Sequence, residues 1–177
     1  MKNLIKSSVV VLAMVLFCAS PLYAKKDKDK GGGYQVPPQI TAEQAIASVK
    51  SALPKLSAGK AWTKRGKRGD VKLEVPLVLE GKIVARVRVN PASGEILTKG
   101  QRIQVQQAAV SPEQAEKAVQ QIIANLEVGH AWLGKGGEWK VPLLVKGAII
   151  AEMGVHGQNG SILPDWKASK DATMFGR

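Results

Sequence analysis

The chain has a single cysteine, Cys18, and it lies inside the leading apolar stretch MKNLIKSSVVVLAMVLFCASPLYA. That stretch is expected to be a secretory signal. Lys2 and Lys6 give it a basic start, Val9 to Cys18 is a short apolar run, and Leu22-Tyr23-Ala24 is an acceptable cleavage site. The run is well short of the ~20 apolar residues that span a bilayer, which argues against a membrane anchor. Phe17, before Cys18, disfavours lipid attachment there, where a small residue is wanted. Removal of 1–24 leaves no thiol, and so no disulfide, cysteine nucleophile or thiolate metal site. Histidine is scarce as well: His130 and His156 stand apart, with no paired-ligand spacing. No nucleophile elbow, phosphate-binding loop or dinucleotide fingerprint is present, and GKGGEW (134–139) precedes a strand rather than a helix, as a turn would. The export signal points outside the cytoplasm, and the basic stretches lack the aromatic interleaving expected for single-strand binding. Catalysis, metal binding, cofactor binding and nucleic-acid binding are therefore not expected.

Basic residues are abundant. The formal charge is +12 and is unevenly spread: residues 41–102 hold 13 Lys/Arg and 5 Asp/Glu, giving +8, whereas 111–177 hold 7 of each. Such asymmetry bears on partners rather than on fold. Residues 25–40, KKDKDKGGGYQVPPQI, carry alternating charges, three glycines and a proline pair, and are expected to form a disordered linker.

The chain also matches itself. TAEQAIASVKSALPKLSAGKAW (41–62) recurs as SPEQAEKAVQQIIANLEVGHAW (111–132), and Val75-Pro76-Leu77 recurs as Val141-Pro142-Leu143. Gly94-Glu95-Ile96-Leu97 matches Gly160-Ser161-Ile162-Leu163. One supersecondary unit used twice is expected: 41–104 (basic), a linker at 105–110, and 111–165 (neutral), followed by a loose tail at 166–177. Each copy opens with a helix. Thr41 and Ser111 are N-caps with Gln44 and Gln114 completing capping boxes, and Gly59 and Gly129 are read as helix stops. Strict alternation over 71–79 and 82–89, with a turn at Glu80-Gly81, predicts a hairpin with one apolar and one wet face. Residues 139–145 and 148–155 repeat it, and short strands are expected at Ile96-Leu97 and around Trp62 or Trp132. Pro76 and Pro142, unable to donate to a ladder, predict an edge strand or a bulge. Equivalence of Trp62 and Trp132 predicts core or rim packing for both. The class is α+β, with helices packed on one face of antiparallel sheet.

The openings TAEQAIASV and SPEQAEKAV, the glycine-turn hairpin and the closing NPASGEIL resemble the PepSY domain family. The second copy departs at its close, where HGQNGSILP lacks the acidic residue after the glycine. Tandem copies also resemble β-lactamase-inhibitor-type proteins, in which two such units share one sheet. The resemblance implies a non-catalytic module that binds or restrains a cell-envelope enzyme such as a peptidase, and it carries over no catalytic residues.

The strongest chemical feature is basic. Lys60, Lys64, Arg65, Lys67 and Arg68 precede the first hairpin, and Lys72, Lys82, Arg86 and Arg88 fall on its wet face. Together Lys64, Arg65, Lys67, Arg68, Lys72, Lys82, Arg86 and Arg88 form the candidate partner-binding set. The expected function is a periplasmic, non-enzymatic module that docks on an envelope protein, with anionic envelope polymers or lipid headgroups as the alternative partner.

Overall fold

A computed structural model of the chain describes residues 37–66 and 68–176. The signal segment, most of the linker and Lys67 lie outside the described residues. The element order is α1 (Ala42–Ala52), β1 (Ser57–Ala58), β2 (Trp62–Arg65), β3 (Val71–Leu79), β4 (Lys82–Val89), β5 (Ile96–Leu97), α2 (Pro112–Ile123), β6 (Glu127–Val128), β7 (Trp132–Leu133), β8 (Trp139–Val145), β9 (Ala148–Val155), β10 (Ile162–Leu163) and α3 (Trp166–Phe175). The fold is α+β, with three helices and two five-stranded antiparallel sheets.

Local chemistry sets the helix starts. The Thr41 hydroxyl accepts from the Gln44 backbone N–H and the Gln44 side chain accepts from Thr41 N–H; Ser111 and Gln114 do the same, with Pro112 in the first turn. α1 gives way after Ala52 to a short 3₁₀ turn, Leu53–Lys55, where Pro54 removes a helical donor.

The hairpins close through Glu80-Gly81 and Lys146-Gly147, and all four residues have positive φ. That is the primed turn whose twist matches two paired strands. Each hairpin carries one extra residue: Leu77 pairs with Ala85 and Val78 with Ile83, so Val84 bulges; Leu143 pairs with Ala151 and Leu144 with Ile149, so Ile150 bulges.

The proline strands are interior, not edges. β3 pairs with β4 on one side and with β1 and β2 on the other; β8 pairs with β9, β6 and β7. Proline is tolerated because the outer strand is interrupted opposite it. Gly59 N–H donates to Pro76 O at 2.9 Å and Gly129 N–H to Pro142 O at 3.0 Å, and neither proline is asked for a donor. Gly59 and Gly129 thus serve the sheet, beyond the helices. A Cβ on Gly129 would stand 2.8 Å from the Pro142 ring and from Leu144 Cδ1.

A single core cluster takes in Ala45 and Val49 of α1, Ala115 and Val119 of α2, Val75 and Leu77 of β3, Val87 of β4, and Val141, Leu143 and Met153 of β8 and β9. α1 contacts β6, β8 and β9, whereas α2 contacts β1 and β3. The hydrogen-bonded order gives two sheets, a point the sequence left open; the resemblance to β-lactamase-inhibitor-type proteins implied one shared sheet. They meet along β4 and β9 through reciprocal bonds: Lys99 N–H to Ile149 O at 2.7 Å and Asp165 N–H to Ile83 O at 2.8 Å.

The segment expected as a loose tail is helical. Asp165 caps α3 by accepting from Ala168 N–H at 2.8 Å, Ala168 is fully buried, and the helix packs against β2 and β4. It lies on the even-numbered face of the first hairpin, which is therefore not a fully wet face.

Candidate functional site

The polar face of the first sheet begins as charge alternation along β2, β3 and β4. Lys64 stands opposite Lys72, Trp62 opposite Glu74, and Glu74 opposite Arg88. At its centre Glu74 is only 4% exposed. Lys64 Nζ donates to Glu74 at 2.9 Å and to Asp171 of α3 at 2.6 Å; Arg86 Nη1 donates to the same two carboxylates at 3.3 and 3.0 Å. Two cations and two anions close a four-membered network in which every member is shielded by α3. Burial acts to raise the Asp171 carboxyl, but Lys64 and Arg86 outweigh it and hold the group below the usual aspartate range. Lys64 and Arg86 are thus committed inside the protein.

The other cations line a trough beside this network. A cavity of about 530 Å³ is walled by Lys72, Arg88, Lys99, Arg102 and Lys167, with Lys64 and Arg86 of the network at its side and Glu74, Glu152 and Asp165 as its acids. A second, of about 490 Å³, shares Lys72, Arg88 and Arg102 and adds Arg68 and Asp70. The two adjoin at these shared cations and together make a cation-rich groove. Apolar side chains also line it, Leu73, Val89 and Leu97 at one end and Ile150 and Ala151 at the other.

Engagement differs along it. Lys72 reaches Asp70 at 3.7 Å while remaining well exposed, and Arg88 donates to Thr98 O at 3.1 Å. Lys99 pairs with Glu152. Its ammonium is nevertheless pushed below the usual lysine range, by burial first and then by the positive charges of Lys140 and Arg86, against the pull of Asp165. The groove therefore already holds crowded positive charge. Arg68, Arg102 and Lys167 have no ion-pair or hydrogen-bond partner among the described residues. Each such group is worth little alone in water, but several converging on one partly enclosed groove raise the local potential for an anion.

Of the candidate residues, Lys64, Lys72, Arg86 and Arg88 are brought together at one cavity, and Arg68 lines the adjoining one. Arg65 is exposed at the end of β2 beside Phe175, and Lys82 is exposed at the hairpin turn, away from the groove. Lys99, Arg102, Lys167 and Asp171 complete the site and were not in the candidate set. Lys99 and Arg102 sit in the chain leaving β5, and Lys167 and Asp171 sit in α3. A signal for α3 was present: Asp165 as a cap, followed by ten residues without glycine or proline.

The tryptophans part company. Trp62, beneath α3, is 1% exposed, and its Nε1 has no hydrogen-bond partner; Trp132, on the second sheet, is 40% exposed. Of the core or rim packing expected for the pair, Trp62 takes the core place, whereas Trp132 lies on an outer strand of the second sheet.

No helix of the described residues is long and apolar enough to cross a membrane. No family model matches the chain, and no curated protein or solved structure is significantly similar to it.

Proposed function

We propose that the protein is an exported, non-enzymatic, PepSY-like binding module that holds an acidic envelope protein, a peptidase for instance, in the groove between its two sheets and modulates it there. The molecule is read as one helix-and-hairpin unit used twice, with each helix covering the apolar face of the other unit's hairpin. The reciprocal Lys99–Ile149 and Asp165–Ile83 bonds and the crossed contacts of α1 and α2 support that reading.

The observation that carries the functional reading is the groove itself: Lys72, Arg88 and Arg102 are common to both of its cavities, and Arg102 is without an internal partner among the described residues. Strand addition is the less favoured docking mode. The outer strands are two to four residues long and interrupted opposite the prolines, which leaves little continuous ladder to extend.

A second reading is favoured by the absence of tryptophan, tyrosine or phenylalanine from the lining of the groove. Protein hot spots are enriched in such anchors, so an anionic polymer or lipid headgroup fits as the alternative occupant.

The test is capture from a cell-envelope extract on the immobilised protein, native against an Arg88→Gln/Arg102→Gln double variant, eluted with rising salt. One defined acidic protein retained by the native chain and lost from the variant supports the first reading. Mixed acidic material leaving at low salt supports the second. Equal retention by both chains removes the groove from the account.

A further inference from the structure

The polar face of the first sheet already carries a helix, and the way it is held shows what that face accepts. α3 inserts one carboxylate, Asp171, between Lys64 Nζ and Arg86 Nη1 at 2.6 and 3.0 Å. One turn earlier, on the same side of the helix, it buries the small side chain of Ala168. Its other polar anchor is the cap, where Asp165 N–H donates to Ile83 O at 2.8 Å and the Asp165 carboxylate stands 4.0 Å from Arg86 Nε. Ala168 is its only fully buried residue, while Trp166 and Met174 are 77% and 58% exposed. Beneath it Trp62 is buried with an orphan indole N–H. A buried donor left unbonded carries its desolvation penalty without a compensating bond. The covered surface is therefore left one hydrogen bond short by the helix that covers it. The second sheet shows the alternative state of such a face, with Trp132 standing open.

We propose that this face is a docking surface for an acidic, amphipathic helix of a partner, and that α3 is its resident competitor. A partner helix presenting a carboxylate at the Asp171 position, a small residue at the Ala168 position and an acceptor within reach of Trp62 Nε1 reproduces the Asp171 and Ala168 contacts and adds a bond to the indole. The inference rests on the reading of the partner as acidic, and it names where that partner's helix sits and what it must expel.

The test uses the full chain with Asp171→Lys, which sets a third cation against Lys64 and Arg86. The probe is a synthetic peptide of residues 165–176. The variant should release α3, seen as a shift and loss of exchange protection of the Trp62 indole N–H resonance. It should bind the peptide at least tenfold more tightly than the native chain does, and an Asp171→Asn peptide should lose that gain. An unchanged Trp62 resonance overturns the proposal, because charge pairing then does not hold the helix. So does a released α3 with no gain in peptide binding. If the variant fails to fold, native-state hydrogen exchange of the unmodified chain decides. The α3 amides and the Trp62 indole should open together at least tenfold more often than the amides of Val75 and Val141, and equal protection overturns the proposal. Failure here leaves the capture result intact, because Arg88 and Arg102 make no bond to α3 among the described residues.

Discussion

Individual side chains carry much of this architecture through steric and electrostatic limits that are easy to test. Gly129 lies under the Pro142 ring at a distance no Cβ tolerates, and the ring cannot swing aside. Gly129→Ala should lower stability by about 1–3 kcal/mol, the usual cost of overpacking, read from urea midpoints at constant slope. Gly147→Ala meets no atom, yet φ is +76° there. It should lose about 1 kcal/mol for a different reason, the left-handed backbone. The sequence showed both glycines but not their different duties, because distance to a proline 13 residues on is a tertiary fact. Glu74 makes the same point for charge. Its place on an alternating strand reads as solvent-facing, and only α3 turns it into the buried centre of an ion network. Glu74→Ala should cost on the order of 3 kcal/mol, since it leaves Lys64 and Arg86 shielded with Asp171 alone. A loss below about half of that would place the network in effective contact with water.

At the scale of elements, the docking of α3 depends on pH through Asp171. The folded state holds the Asp171 carboxyl below its ordinary value near 3.8, by the pull of Lys64 and Arg86 against burial. A depressed folded pKa contributes stability that is fully present above the ordinary value and is lost as pH falls through the folded one. Docking of α3 should therefore be intact from neutrality down to about pH 5 and weaken as pH falls below about 4. The Trp62 indole resonance, followed in acid titration beside the amides of β8, checks this: α3 should respond first. Simultaneous loss of both would mean that α3 has no independent opening. The helices α1 and α2, the two hairpins and the short strands around Trp62 and Ile96 were legible because caps, glycine turns and period-two alternation are local signals. The interior place of the proline strands, the covered polar face and the cations donated by Lys99, Arg102 and Lys167 were not. Each depends on which segment returns to pack on which sheet. The tail was misread because its cap, Asp165, is followed by a polar helix whose stability comes from docking rather than from an apolar stripe of its own.

For the molecule as a whole, one core draws side chains from both hairpins and both long helices, so the two halves should not unfold separately. Val119→Ala in α2 should lower the protection of β3 and β8 amides alike, by roughly 1–2 kcal/mol, in native-state hydrogen exchange. A loss confined to β3 would show two independent cores. The same joining of halves creates the groove, because its walls come from β3 and β4, from the chain after β5, from β9 and from the start of α3. Charge placed unevenly along the sequence is thereby concentrated at the seam between sheets. The most direct measurement of that claim is an amide chemical-shift titration of the full chain with poly-L-glutamate at low and moderate salt. The account predicts shifts clustered at Lys72, Arg88, Lys99, Arg102 and Lys167, fading as salt screens the charges, and little change at Lys82 or Lys146. Shifts spread evenly over all exposed lysines, or none at the groove, would contradict it.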